Sequence, residues 1–220
     1  MLTKFKDIHE GETGLIIGNG PSLAKCPREL LDKYITFGSN KIFLMEGFTP
    51  NYYTIIDEHM LHNCAPYLNG EYKPDAMFIR RPYPIKGCYH INTIVHAGWS
   101  FNINKAVVMG GTVTYASLQI AYYMGIRTAI LVGVDHDYSG GLAGAPPGAI
   151  FQADMEEDPD HFHPDYFKVG EFYAAPALDG SEAYYHIART VYEKDEGRVI
   201  NLTPDTGENV LEKGKYDDWL

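Results

Sequence analysis

Cysteine is scarce in this chain, basic residues are outnumbered, and no long apolar run occurs. Cys26, Cys64 and Cys88 are the only 3 cysteines among 220 residues, and no C-x-x-C spacing joins them. That argues against a disulfide framework or a structural zinc site and for reduced, buried thiols in a cytoplasmic protein. The longest apolar stretches fall far short of the roughly 20 residues a membrane span needs. The opening MLTKFKDIHEGETG lacks the apolar centre of a secretory signal. Lys and Arg number 18 against 29 Asp and Glu, for a formal charge of −11. Such a chain has no electrostatic basis for non-specific binding to nucleic acid or anionic membrane. A small anion is a separate matter, since a local site can be positive on an acidic protein.

Several nucleotide signatures are also missing. There is no G-x-x-x-x-G-K-[ST] phosphate loop, no G-x-S-x-G nucleophile elbow and no kinase signature. The stretch LIIGNGPSL starts like a dinucleotide fingerprint, with an apolar strand followed by Gly18-Asn19-Gly20. It then departs from it: Leu23 stands where the third glycine belongs, and no clear acid follows about 20 residues on.

Hydrophobic residues make up 45% of the sequence, enough for a real core in a single domain spanning 1–220. Apolar periodicity predicts strands over 14–18, 34–40, 51–57, 75–81, 88–95, 127–135 and 198–204. It predicts helices over 58–68, 110–125 and 181–195. Residues 21–33 read as one helix, or as a turn and then a helix, because Pro27 suits a first turn. Alternating strands and helices imply a doubly wound α/β fold with a mostly parallel sheet. Residues 136–180 break the alternation with glycine, proline and acid clusters but no clear period. A connection that long is usually functional, so this one reads as a lid-like insertion within the domain.

Ligands of open α/β sheets sit beyond the carboxyl ends of the strands. That rule gathers Gly18, Asn19, Gly20, Pro21 and Ser22 after the first strand, and Ser39 and Asn40 after the second. It adds Asp57 after the third, Gly111, Thr112 and Thr114 after a middle strand, and Asp135, His136 and Tyr138 after the strongest one. The turns 18–22 and 110–114 combine small residues with a helix start, where free N–H groups favour phosphate. In the lid, His161 and His163 flank Phe162, and in an extended segment both rings would face one way. Imidazole titrates near neutrality, which suits a general base, and Asp160 or Asp165 could orient it. Tyr138 and Tyr166 lie beside these groups and could hydrogen-bond a phosphate. The acids of DMEEDPDHFHPD make a metal site the rival reading, although the spacing fits no particular metal. Tyr122, Tyr123, Tyr184, Tyr185 and Tyr192 recur at helical spacing and read as core.

The segments IIGNGPSL, FGSNKIF, YYTIID, GGTVTYASLQIAYYMGIRTAILVGVDHDYSGG and HFHPDYF, in this order, resemble the MptE-like family. That family takes its name from an archaeal 6-hydroxymethylpterin diphosphokinase. The same set is distantly similar to bacterial CMP-sialic-acid-dependent sialyltransferases, over roughly residues 5–205. The resemblance implies a variant Rossmann-like fold and an anionic nucleotide donor. It sets Asn19, Gly20, Pro21, Ser22 and Asn40 against that donor. It makes a lid histidine, His161 or His163, the base, and puts Tyr138 and Tyr166 on the phosphate. Val113 and Thr114 replace the small Ser-Gly pair of the sialyltransferase turn, and Asp57 replaces an asparagine.

Three functions follow as expectations. The first is a glycosyltransferase using a CMP-linked acidic sugar and a glycan acceptor in surface-polysaccharide biosynthesis, with no cofactor required. The second is a diphosphokinase using ATP, with Mg²⁺ held by Asp57 and Asp135. The third is a non-catalytic nucleotide- or sugar-binding module. No nucleic-acid partner is expected, and a homo-oligomer remains open.

Overall fold

A computed structural model of the chain describes residues 1–138 and 145–220. The end of the HDYSGG stretch therefore lies outside the described residues. In chain order the elements are β1 (Thr13–Ile17), α1 (Arg28–Lys33), β2 (Ile35–Ser39), β3 (Tyr52–Ile55), α2 (Glu58–Leu68), β4 (Ala76–Arg80) and β5 (Tyr89–Ile91). Then come β6 (Thr93–Ile94), β7 (Val107–Val108), α3 (Val113–Tyr123), β8 (Thr128–Val132), β9 (Ile150–Gln152) and β10 (Phe172–Ala174). The chain closes with α4 (Leu178–Lys194), β11 (Arg198–Asn201) and β12 (Glu212–Lys213).

Eight strands form one sheet in the order β12-β11-β8-β1-β2-β3-β4-β5, and every pair in it is parallel. The chain starts in the middle and builds outward to β5. It then returns through α3 to lay β8 on the other side of β1. The turns leaving β1 and β8 thus head in opposite directions and open a crevice between them, as in doubly wound sheets generally.

Strand periodicity explains the two layers of core. Leu15 and Ile17 of β1, with Ile130 and Val132 of β8, face Leu30 and Leu31 of α1 and Met60, Leu61 and Leu68 of α2. Ile16, Ala129 and Leu131 point the other way, into α3 and into Tyr185, Ala188 and Tyr192 of α4. A sheet covered on both faces needs strands that are apolar throughout, which is why these segments do not alternate in sequence. Helix α3 is buried on all sides from Thr114 to Tyr123, because α4 and the 93–108 region cover the side the sheet does not. Trp99 packs edge-on against Tyr115, Tyr122 and Tyr192. The tyrosines at helical spacing are core, as expected, with Tyr184 half-buried against it.

Residues 21–33 follow the second of their two readings, a 3-10 turn, Pro21–Lys25, and then α1, with Pro27 in the N-cap position. Three expectations need correction. The 88–95 strand divides: β5 stays on the sheet edge, while β6 leaves it to pair with β7. The strand before Gly110 therefore belongs to this small ribbon and not to the middle of the main sheet. The lid contains an antiparallel pair, β9 with β10, where no period was legible. Helix α4 begins at Leu178, three residues before the expected 181. No helix among the described residues is long and apolar enough to cross a membrane.

Candidate functional site

The turns leaving β1 and β8 bind each other. Gly18 N donates to Val132 O at 2.8 Å and Gly20 N to Gly133 O at 2.9 Å. Ser22 donates its N–H to Asp135 Oδ1 at 3.1 Å and its hydroxyl to Asp135 Oδ2 at 2.8 Å. The amides of Gly18, Gly20 and Ser22 are consequently taken within the protein, so these three are not among the N–H groups this turn could offer to phosphate. Its glycines serve close packing instead. A Cβ on Gly18 would sit 2.2 Å from Gly133 O, and one on Gly20 would sit 2.0 Å from Asp135 Oδ2.

Asn19 faces a different task. Its Nδ2 donates to Ser39 O at 3.3 Å and Ser39 Oγ at 3.2 Å, while its buried Oδ1 has no hydrogen-bond partner. Asn40, next after β2, adopts a left-handed φ of 49°, a region asparagine enters more readily than most residues. Its carbonyl accepts the Tyr53 hydroxyl at 2.6 Å, and its Oδ1 is also buried without a partner. Two buried amide oxygens beside the cleft thus lack a partner within the protein.

Asp57 caps α2: Oδ1 accepts Met60 N at 2.9 Å. That structural duty explains a carboxylate at this place. Thr112 caps α3 by accepting Thr114 N at 3.3 Å. The hydroxyl of buried Tyr185 bonds the Thr112 and Thr114 side chains, and burial pushes it up to about 12. In the β8 turn, burial raises the Asp135 carboxyl above its ordinary range, against the lowering effect of Ser22. Burial holds the His136 imidazole below its usual value despite nearby Glu182 and Glu208.

The expected lid segment packs against this rim. Phe162 N donates to Asn19 O at 2.9 Å. His161 Nδ1 lies 2.9 Å from Asp158 Oδ2, with the Asp158 side chain 7% exposed, and Asp158 Oδ1 accepts Asp160 N at 2.9 Å. The His161 ring stacks on Tyr166 with centroids 3.8 Å apart and planes 3° from parallel. Tyr138 lies 6.3 Å from the His161 ring. Burial raises both tyrosine hydroxyls well above their ordinary values.

A cleft of about 400 Å³ results, within the range of ligand sites. Gly18, Asn19, Gly20, Ser39, Asn40 and Asp57 line one side of it. Gly111, Thr112, Thr114, Asp135, His136, Tyr138, His161 and Tyr166 line the rest. Pro21, Ser22 and His163 do not. The segment around His163 is bent and not extended, so alternation does not bring both histidines to one face. His163 Nδ1 instead accepts Asp165 N at 3.1 Å. Sequence reading missed Asp158, Tyr173 and the 174–178 stretch, and it took Tyr185 for core alone. Asp158 carried no signal of its own among so many acids.

The profile of the MptE-like family, described as 6-hydroxymethylpterin diphosphokinase MptE-like, matches residues 1–141. The chain belongs to the MptE-like family. The match ends just past the β8 turn, so it includes the Asn19 and α3 side of the cleft but not His161. A comparison with curated proteins gives no significant match. Among solved structures the chain is similar to the sialyltransferase CstII from Campylobacter jejuni in complex with cytidine-5'-monophosphate. The TM-score is 0.56 at 13% identity, over 94% of this chain and 86% of that one. A second CstII structure, with CMP-3FNeuAc, gives a TM-score of 0.47 at 13% identity, over 92% and 86%. At such identity the likeness is one of fold.

Charge bears on what this MptE-like cleft can hold. Asp57, Asp135, Asp137 and Asp160 line it, and no Lys or Arg does among the described residues. Two cations nearby are paired elsewhere: Arg80 with Glu58 at 3.1 Å and Lys41 with Glu171 at 2.5 Å. The described residues contain no cluster of three or more His, Cys, Asp or Glu placed to hold a metal ion. Asp57 and Asp135, expected to hold Mg²⁺ in a diphosphokinase, are already used by Met60 N and Ser22.

Proposed function

We propose that this MptE-like protein is a glycosyltransferase acting on a nucleotide-activated sugar, with a CMP-linked acidic sugar as the favoured donor and a glycan hydroxyl as acceptor. The observation that carries this reading is His161, backed by Asp158 and facing a cleft with partnerless amide oxygens at Asn19 and Asn40. Asp158 Oδ2 accepts a hydrogen bond from Nδ1–H, which keeps that proton on Nδ1 and leaves Nε2 as the proton acceptor. Nε2 removes the proton of the acceptor hydroxyl as its oxygen bonds the anomeric carbon. The bond from that carbon to the phosphate oxygen breaks, and the nucleotide leaves with the electron pair. Tyr138 and Tyr166 hydrogen-bond the departing phosphate, and the N-terminus of α3 favours its charge. Asn19 and Asn40 accept hydrogen bonds from the nucleotide. A role in surface-polysaccharide synthesis suits such a transfer.

The family match favours a second reading, a diphosphokinase using ATP. A triphosphate in this cleft would lie among four aspartates without a lining Lys or Arg, so it would depend wholly on Mg²⁺. A thermal-shift panel with CMP, CDP, CTP, ATP, UDP and GDP, each with Mg²⁺ and with EDTA, separates the two. A ligand present at 100 times its Kd adds about 2.7 kcal/mol of stability. Stabilisation by CMP that ignores EDTA, followed by release of CMP from a CMP-linked sugar, is the expected result. Stabilisation by ATP that EDTA abolishes would overturn it in favour of the kinase. CMP binding without turnover would leave a binding module.

A further inference from the structure

Lys41 is a buried lysine without a place in the proposed chemistry. It follows Asn40 directly, is 2% exposed, and turns away from the cleft. Its ammonium bonds two lid groups more than a hundred residues away: the Tyr166 carbonyl at 2.5 Å and Glu171 Oε2 at 2.5 Å. The same Glu171 oxygen accepts Lys168 N at 2.9 Å, so the carboxylate also fixes the turn of the lid that carries it. The ammonium lies 5.8 Å from the Tyr166 ring centre and 5.4 Å from that of Phe167. Burying a charge this deeply is costly unless it is fully paired. Here the partners are the backbone and side chain of the segment on which the His161 ring rests.

We propose that Lys41 is a positioning residue of this site: by clamping the lid to the β2 turn it holds Tyr166 in place, and Tyr166 holds the His161 ring in the cleft. Its effect on turnover rests on the glycosyltransferase reading, whereas its effect on the lid does not. The geometry is a relay of contacts. Lys41 fixes the Tyr166 carbonyl, Tyr166 stacks on His161 at 3.8 Å, and Asp158 fixes the far side of the imidazole. A small displacement of a catalytic group costs about 10²-fold in rate, so loosening the clamp should lower turnover without weakening nucleotide contacts made by the scaffold.

The test uses the full chain with Lys41→Met, and Glu171→Gln as the milder variant should Lys41→Met fail to fold. Stacking on Tyr166 shifts the His161 ring protons upfield in the NMR spectrum, and either variant should return them toward an unstacked imidazole. Amide exchange over 158–172 should quicken about tenfold or more, by local opening. CMP affinity should stay within about threefold, while turnover of CMP-linked sialic acid at saturation falls about 10²-fold. Retention of the upfield ring shift and of slow exchange in both variants would overturn the clamp. Normal turnover with a displaced ring would overturn the positioning role. If the unaltered chain neither binds CMP nor turns over the donor, the proposed activity fails, and the ring shift and exchange still decide on the clamp.

Discussion

A free imidazole shares its proton between two nitrogens, and the Asp158 carboxylate 2.9 Å from Nδ1 removes that freedom from His161. The proton stays at Nδ1 and the lone pair at Nε2. Positioned general bases contribute about 10²–10⁴-fold. His161→Ala should therefore lower donor turnover by about 10²–10⁴-fold with CMP affinity nearly unchanged. Asp158→Asn should cost about 10²-fold or more, since an amide can accept or donate at that nitrogen and no longer selects one tautomer. His163→Ala should turn over like the unaltered protein, because His163 bonds Asp165 N outside the cleft. Steady-state assays of the three variants check this, and a loss at His163 equal to that at His161 would refute the assignment. These residues were not equally legible. Asn19 and Asn40 could be found because strand ends line the crevice of any doubly wound sheet. Asp158 could not, because its role depends on a tight bend in which Asp158 also accepts Asp160 N. The i, i+2 rule that paired His161 with His163 presumes an extended chain.

At the scale of elements, the turn after β1 owes its glycines to packing. Gly18 and Gly20 allow that turn to lie against the β8 turn, with bonds of 2.8 and 2.9 Å between their backbones. A methyl group on Gly18 would have to displace Gly133 O, which lies 2.2 Å from the new atom, and backbone cannot swing aside as a flexible side chain can. Gly18→Ala should destabilise the fold by about 1–3 kcal/mol, as overpacking does, measured as a lower midpoint in urea. A stable Gly18→Ala protein that binds CMP poorly would show that the glycine serves the ligand after all. A sequence reader sees the same Gly-Asn-Gly under either role, since both need the missing side chain. Longer elements were easier. The 58–68 helix has a capping Asp57 and a clear apolar face, and 129–132 is apolar throughout. The two-residue strands β6, β7 and β12 are too short for any period, and what makes them strands is a partner distant in the chain.

The whole molecule carries a formal charge of −11, and the cleft adds to it locally. Asp57, Asp135, Asp137 and Asp160 line it, with no Lys or Arg among the described lining residues, and the 139–144 segment of the lid contributes no charged residue to the sequence. On the proposed reading, an anionic donor approaches against the long-range field and is held by short-range donors, chiefly the α3 terminus and the lid tyrosines. Repulsion between exposed charges is screened beyond a Debye length, about 30 Å at 0.01 M salt and about 8 Å at 0.15 M. Association of CMP should accordingly become faster as salt rises from 0.01 to about 0.15 M, while dissociation, governed by the short contacts, changes little. Most proteins that bind phosphates through basic clefts show the reverse. Stopped-flow measurement of a fluorescent CMP analogue over that range decides the point. An association rate that falls with salt would mean that cations steer the ligand, and Arg80 and Arg81, at the end of β4, would be the first to replace.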